Sequence, residues 1–238
     1  MIPKPILFMH IPKTGGISLN RLMQKQYERD ELYVLDNWRV RQSLKELLAS
    51  KELKEKKLRM ISGHFRFGLH EQLPYKFQYA TILRDPVSRI LSLYFYIIRN
   101  KGHNQHKLLE DLQKRLGLNS ALRKFAIDSN TISCSNAEVR QVSGAAFGYG
   151  ECTQEFLDLA KRNIDKNFVA VGRQESYLTF ICNLSRILEW KETKVYPFNK
   201  GNYKTGSIEQ SLLDEIREHN SFDVELCNWA GDGIYAGA

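Results

Sequence analysis

Ile6-Leu7-Phe8-Met9-His10-Ile11-Pro12-Lys13-Thr14-Gly15-Gly16-Ile17-Ser18-Leu19 decides how this chain folds. The apolar run Ile6–Met9 reads as a strand, Pro12 and the paired glycines as a tight loop, and residues 17 to about 28 as an amphipathic helix. A glycine loop between strand and helix lets backbone N–H groups turn inward, and the helix adds its own unpaired N–H groups and positive dipole end. Lys13, Thr14 and Ser18 frame the same concavity, which makes it a candidate site for phosphate or sulfate. The loop is not a Walker A motif, because Lys13 precedes both glycines instead of following the second. A lone K-T-G-G also serves as an ordinary turn; its place directly after the first strand favours a nucleotide loop.

Outward from that stretch, strand and helix patterns alternate. Leu32–Leu35, Leu58–Ser62, Gln78–Leu83 and Phe168–Val171 read as strands, and Val195–Phe198 as a last one. Helical spacing covers Gln42–Lys57, Pro86–Asn100, Thr153–Lys166, Glu175–Trp190, Ser207–His219 and Asp223–Ala230. Asp85 as N-cap with Pro86 at the first helical position is a strong start, and Val87, Ile90, Leu91, Tyr94, Phe95 and Ile98 form one apolar face. The alternation predicts an α/β protein: a P-loop-like, mainly parallel sheet with helices on both faces, in one domain over residues 1–238.

Bulk properties narrow the function. The 238 residues are 42% hydrophobic and 26% charged, ordinary for a globular protein, and no apolar run reaches the ~20 residues of a membrane span. Met1-Ile2-Pro3-Lys4-Pro5 runs straight into the first strand, which predicts no signal peptide and a cytoplasmic protein. Net charge is +8, from 35 Lys plus Arg against 27 Asp plus Glu, and suits a polyanionic cofactor or substrate. Cys134, Cys152, Cys182 and Cys227 contain no C-x-x-C pair and read as reduced thiols, with a Cys134–Cys152 bridge left open. No metal site is expected; His103 and His106 read as solvated loop residues.

Ligands of open α/β sheets bind at the carboxyl ends of the strands. Three such ends carry polar groups: Lys13 to Ser18, Gly63-His64, and Arg84 with Ser92 in the helix that follows. An arginine and a hydroxyl placed so suit a second phosphate, although an ion pair is the competing role for Arg84.

These residues resemble the sulfotransferase family that contains heparan-sulfate uronyl 2-O-sulfotransferase. His10-Ile11-Pro12-Lys13-Thr14-Gly15-Gly16 is similar to its 5′-phosphosulfate loop, and Arg84-Asp85-Pro86-Val87-Ser88-Arg89 with Ser92 to its 3′-phosphate motif. Gly63-His64-Phe65 falls where those enzymes carry a catalytic histidine. The likeness continues in Arg140-Gln141-Val142-Ser143-Gly144, in Val171-Gly172 with Glu175, and in Asn220 with Asp223. Ile17 departs from it, standing where the family usually has a hydroxyl.

The resemblance implies PAPS as sulfuryl donor, PAP as product, and no metal. Lys13, Thr14, Gly15, Gly16, Ile17 and Ser18 would hold the 5′-phosphate, with Lys13 also stabilising charge on the leaving oxygen. Arg84 and Ser92, with Lys200 and Gly201 as a further pair, would hold the 3′-phosphate. His64 would take the proton of an acceptor hydroxyl on an oligo- or polysaccharide. Arg66, Arg99, Lys101 and Arg140 are candidates for an acidic glycan. The competing functions are a P-loop-like small-molecule kinase, which would need a Mg²⁺ carboxylate and a Walker lysine, and a non-catalytic polyanion binder suggested only by net charge. Nucleic acid is not an expected partner.

Overall fold

A computed structural model of the chain describes residues 4–36, 38–191, 205–231 and 233–234. Its centre is a sheet in the order β2-β3-β1-β4-β5-β6. β1 (Ile6–Met9) pairs in parallel with β3 (Met60–Gly63) and β4 (Gln78–Leu83); β2 (Leu32–Val34) and β5 (Phe168–Arg173) extend the parallel ladder on either side. β6 (Gly233–Ile234) closes one edge antiparallel to β5, an element the sequence pattern did not reveal. Two residues are too short to show a period.

The side-chain alternation of β1 sorts the helices. Ile6 and Phe8 point to one face and pack with α1 (Gly16–Gln26) and α8 (Tyr177–Ile187) through Leu19, Leu22, Met23, Phe180, Ile181 and Leu184. Leu7 and Met9 point to the other, where α2 (Val40–Ala49), α3 (Lys51–Lys54), α6 (Ala137–Ser143), α7 (Gln154–Asn167) and α10 (Ser221–Ala230) cover them. A third apolar cluster joins α4 (Pro86–Arg99), α5 (His106–Arg123) and α9 (Gln210–His219). Helices therefore lie on both faces, as the sequence predicts.

Several boundaries differ for local reasons. The expected helix over Gln42–Lys57 breaks at Ser50, whose backbone is extended and whose Oγ accepts from Leu53 N–H to start α3. Ile97, not Ile98, is the fully buried residue late in α4. Thr153 has the extended backbone of an N-cap, but its side chain makes no capping hydrogen bond. All four cysteines are free, so no Cys134–Cys152 bridge forms. His106 is buried, its Nδ1 3.1 Å from the Ile97 carbonyl, so the expectation of a solvated loop residue is corrected. The strand expected at Val195–Phe198 lies outside the described residues, as do Lys200 and Gly201.

One topological fact positions the site. From β1 the chain moves to β2 on one side, and from β3 it crosses over to β4 on the other side of β1. The connections part between β1 and β4, and an open α/β sheet forms its binding crevice at such a reversal. The two loops that flank it begin at His10 and Arg84.

Candidate active site

The loop after β1 is held by its own backbone demands. Thr14 is buried and donates its hydroxyl to the Ile11 carbonyl at 2.9 Å, which turns it inward as a brace. Gly15 sits at φ +97° as N-cap of α1, and a Cβ there would meet the Tyr177 ring at 3.1 Å. A Cβ on Gly16 would lie 2.1 Å from the His10 ring, so the second glycine lets the helix start against that imidazole. Lys13 adopts φ +74°, a left-handed conformation costly for a side-chain-bearing residue and typical of constrained functional loops. Ile17 is 49% exposed in the first turn of α1. The first turn therefore presents an apolar side chain where the resemblance expected a hydroxyl.

Arg84 ties the second loop to the first. Its Nη1 donates to the Lys13 carbonyl at 2.8 Å, while its own N–H donates to Glu138 Oε1 at 3.0 Å. Its Nε is buried without a hydrogen-bond partner among the described residues, and no carboxylate there pairs with it. The competing ion-pair role of Arg84 is thus not realised among those residues. Ser92 lies half-buried in the second turn of α4. Asp85 caps that helix by accepting from Ser88 N–H at 2.8 Å.

The Lys13 ammonium rests 4.0 Å from the centre of the Tyr96 ring, a cation–π contact from α4. Burial lowers its pKa to about 8, and the positive charges of Arg99 and Arg84 add to that. Three cations thus gather at one end of the sheet, and no carboxylate among the described residues compensates Lys13. An anion bound there would reverse the penalty.

The third strand end joins the same loop. His64 Nδ1 lies 2.6 Å from the His10 carbonyl. A carbonyl only accepts, so Nδ1 carries the proton and the neutral ring presents Nε2 as a free base. Burial lowers the His64 pKa and so favours the neutral ring, an effect partly opposed by that hydrogen bond. The His10 and His64 rings lie 4.4 Å apart between centroids. Burial, with His64 and Lys13 nearby, lowers the His10 pKa to about 3, so this second imidazole is a neutral packing partner. Gln141 donates its side-chain amide to both the His10 and Phe65 carbonyls, at 3.2 and 3.0 Å, and braces the His64 turn from α6.

Sequence reasoning therefore located Lys13, Arg84 and His64, which the fold brings to three neighbouring strand ends. It missed the partners that orient them: the His10 carbonyl, Gln141 and Tyr96. Tyr96 was available as a half-buried position on an apolar helix, and Gln141 within Arg140–Gly144. Arg140, an expected glycan contact, is instead buried: its guanidinium donates to the carbonyls of Phe147, Ile132, Ser135 and Gly148. Four of its five N–H groups are thus spent on backbone carbonyls, two of them in the 144–150 loop. Arg66, Arg99 and Lys101 stay exposed. Among the described residues no helix is long and apolar enough to cross a membrane, and no acidic, histidine or cysteine cluster could hold a metal ion.

Comparison with known proteins gives three results. The sequence profile named Sulfotransferase family (Sulfotransfer_2) matches residues 3–148, more than half of the chain and all three strand ends. Among solved structures, a sulfotransferase from Alicyclobacillus acidocaldarius is similar at 12% identity and a TM-score of 0.50, covering 96% of this chain and 96% of its own. The mouse sulfotransferase SULT7A1, complexed with PAP, is similar at 12% identity and a TM-score of 0.47, covering 95% of this chain and 89% of its own. At 12% identity the likeness to the Alicyclobacillus enzyme speaks for the fold alone. No curated protein matches.

Proposed function

The chain belongs to the sulfotransferase family and has its α/β fold, and from that premise we propose that it is a PAPS-dependent O-sulfotransferase acting on a carbohydrate hydroxyl. The observation that carries the reading is the convergence on one loop. Arg84 donates to the Lys13 carbonyl and His64 to the His10 carbonyl, so three strand ends are locked into one constellation. The glycine cradle, the unpartnered Arg84 Nε and the uncompensated Lys13 charge fit a donor bearing two phosphate groups.

Bound PAPS would supply the sulfuryl group. The loop from Lys13 to Ser18, with the N-terminus of α1, offers backbone N–H groups and a positive dipole end to the 5′-phosphate. Lys13, which rests on Tyr96, would hold the donor's 5′ end and supply positive charge where negative charge grows on the leaving group, and so would act more on the transition state than on the ground state. Arg84 and Ser92 would hold the 3′-phosphate. His64 receives the acceptor's hydroxyl proton at Nε2, while the His10 carbonyl holds Nδ1–H and stabilises the imidazolium that forms. We read residues 1–238 as one domain, because the three apolar clusters share one sheet or its carboxyl edge. The carbohydrate acceptor rests on the likeness of the Lys13 and Arg84 motifs to enzymes of heparan-sulfate uronyl groups.

Thermal unfolding with PAP, with ATP plus Mg²⁺, and with neither tests the reading. Ligand at a hundred times its dissociation constant adds about 2.7 kcal/mol, a clear rise in midpoint. We expect the rise with PAP alone. A rise with ATP alone would replace this reading by the kinase, and salt-sensitive stabilisation by any polyanion would replace it by a binding protein.

A further inference from the structure

The donor groups occupy the β1 and β4 side of the crevice, so an acceptor reaching His64 must come from the other side, past β3 towards β2. A chain of aromatic rings runs from that side to α4. Trp38, just after β2, is 72% exposed, and its N–H bond to Asp36 Oδ1 at 2.8 Å fixes the turn that presents it. Its indole lies 6.2 Å from the His103 ring, and His103 meets the edge of Tyr96 at 6.1 Å. Tyr96 in turn carries the Lys13 ammonium on its face, and its hydroxyl accepts from Asn100 Nδ2 at 3.0 Å.

The topology gives this contact its meaning. β2 and β4 are separated in the sheet by β3 and β1, roughly 14 Å at the usual strand spacing. Trp38 follows β2, whereas Tyr96 and His103 belong to α4 and the loop after it, which leave from β4. The rings therefore join the β2 side of the sheet to its β4 side, and between these lie β3 and β1, whose ends bear His64 and the Lys13 loop.

His103 also has a defined chemistry. Its Nδ1 accepts from Gln105 N–H at 3.2 Å, so in the neutral ring the proton sits on Nε2. His64 has the opposite tautomer, with Nε2 free to accept. One imidazole can take a hydroxyl proton while the other donates to a neighbouring oxygen. Arg99 and Lys101, both exposed, border the same segment.

We propose that Trp38, His103 and Tyr96 form the acceptor subsite, with the indole stacked on the face of a sugar ring and His103 Nε2–H donating to one of its oxygens. The proposal rests on the sulfotransferase reading and adds the residues that select the acceptor. An open, half-wet aromatic surface beside one N–H donor suits a ring with an apolar face and a polar rim. A small phenol would need an enclosed apolar slot, since an open ring buries only one side of it.

The test uses the full chain, a uronic-acid-containing tetrasaccharide and 4-nitrophenol as probes, and the variants Trp38→Ala, His103→Ala and His103→Gln. Binding is followed by tryptophan fluorescence for the wild type and the His103 variants and by calorimetry for all, and KM is measured with PAPS. We expect the tetrasaccharide to quench wild-type fluorescence. Trp38→Ala and His103→Ala should each raise its Kd and KM about tenfold, the scale of one lost ring contact or hydrogen bond. His103→Gln, which keeps a donor, should recover part of the loss. PAP stabilisation should be the same in every variant, which separates this proposal from the donor reading: wild type that ignores PAP overturns that reading instead. The acceptor subsite is overturned if the tetrasaccharide fails to bind wild type, if it binds the Trp38→Ala and His103→Ala variants as tightly, or if 4-nitrophenol alone shows the Trp38 dependence.

Discussion

Two clusters of charged side chains lie within a few residues of each other in this fold, and they are built on opposite principles. At the crevice, Lys13, Arg84 and Arg99 bring like charges together, and no carboxylate among the described residues answers Lys13 or Arg84. Beneath it, Arg89, Glu138, Asp223, Asn136 and Asn220 form a buried knot whose opposite charges face one another, although Arg89 Nε, like Arg84 Nε, has no hydrogen-bond partner among the described residues. Asp223 accepts from Glu138 and Val139 N–H at 3.1 and 2.8 Å, capping α6, and faces Arg89 at 3.9 Å. Asn136 and Asn220 complete the circuit by exchanging bonds with neighbouring backbone groups, and Cys227 lies 3.0 Å from Glu138 Oε2. The knot spends its polarity on joining α4, α6 and α10; the crevice keeps its polarity in reserve for a ligand. The link between them is Glu138, which holds the Arg84 N–H.

If that contrast is right, substitutions in the crevice should remove activity and spare the fold, and substitutions in the knot should do the reverse. The largest effects belong to the crevice. His64→Ala should lower turnover about 10²- to 10⁴-fold by removing the base, and Lys13→Ala about 10²- to 10³-fold by removing transition-state charge stabilisation. Both should keep the wild-type thermal midpoint, and a midpoint that falls with activity would make those residues structural.

Asp223→Ala comes next. It leaves the Arg89 guanidinium, 1% exposed, without its carboxylate and uncaps two α6 N–H groups, which should cost about 3–5 kcal/mol in denaturant unfolding. A loss of activity at unchanged stability would move Asp223 into the working site.

The smallest effect is a pH slope. Burial and the adjacent Asp223 raise the Glu138 pKa to about 8. The folded state therefore keeps a proton that the unfolded state gives up above its ordinary value near 4.5. This contribution is fully present below pH ~4.5 and is lost as pH rises through about 8. Glu138→Gln, which retains an acceptor for Arg84 N–H, should flatten that decline relative to wild type in unfolding experiments between those limits. Parallel profiles for the two proteins would show Glu138 charged in the fold.

The difference between the clusters also explains what could be read from sequence. The crevice was legible because each part is local: a strand, a proline, two glycines and a helix in succession, and Asp85-Pro86 as a start signal. Short-range backbone rules govern those stretches. The knot was not legible, since Glu138 and Asp223 meet across the chain, and nothing local tells a buried arginine such as Arg89 or Arg140 from an exposed one. The histidines show the same division. His64 was found by its place at a strand end, but its tautomer is set by a carbonyl far away in sequence, at His10. His106 was misread because its burial depends on α4 packing over it.

The most direct test of the central claim is calorimetric titration of wild type and Arg84→Ala with PAP and with adenosine 5′-phosphate, which lacks the 3′-phosphate. If the crevice holds uncompensated cations for a doubly phosphorylated donor, wild type binds PAP the more tightly. Arg84→Ala should then lose at least about tenfold for PAP, the scale of one charged hydrogen bond, and little for adenosine 5′-phosphate. Equal losses for the two ligands, or no binding of PAP to wild type, would contradict the account and leave Arg84 as a brace for the Lys13 loop.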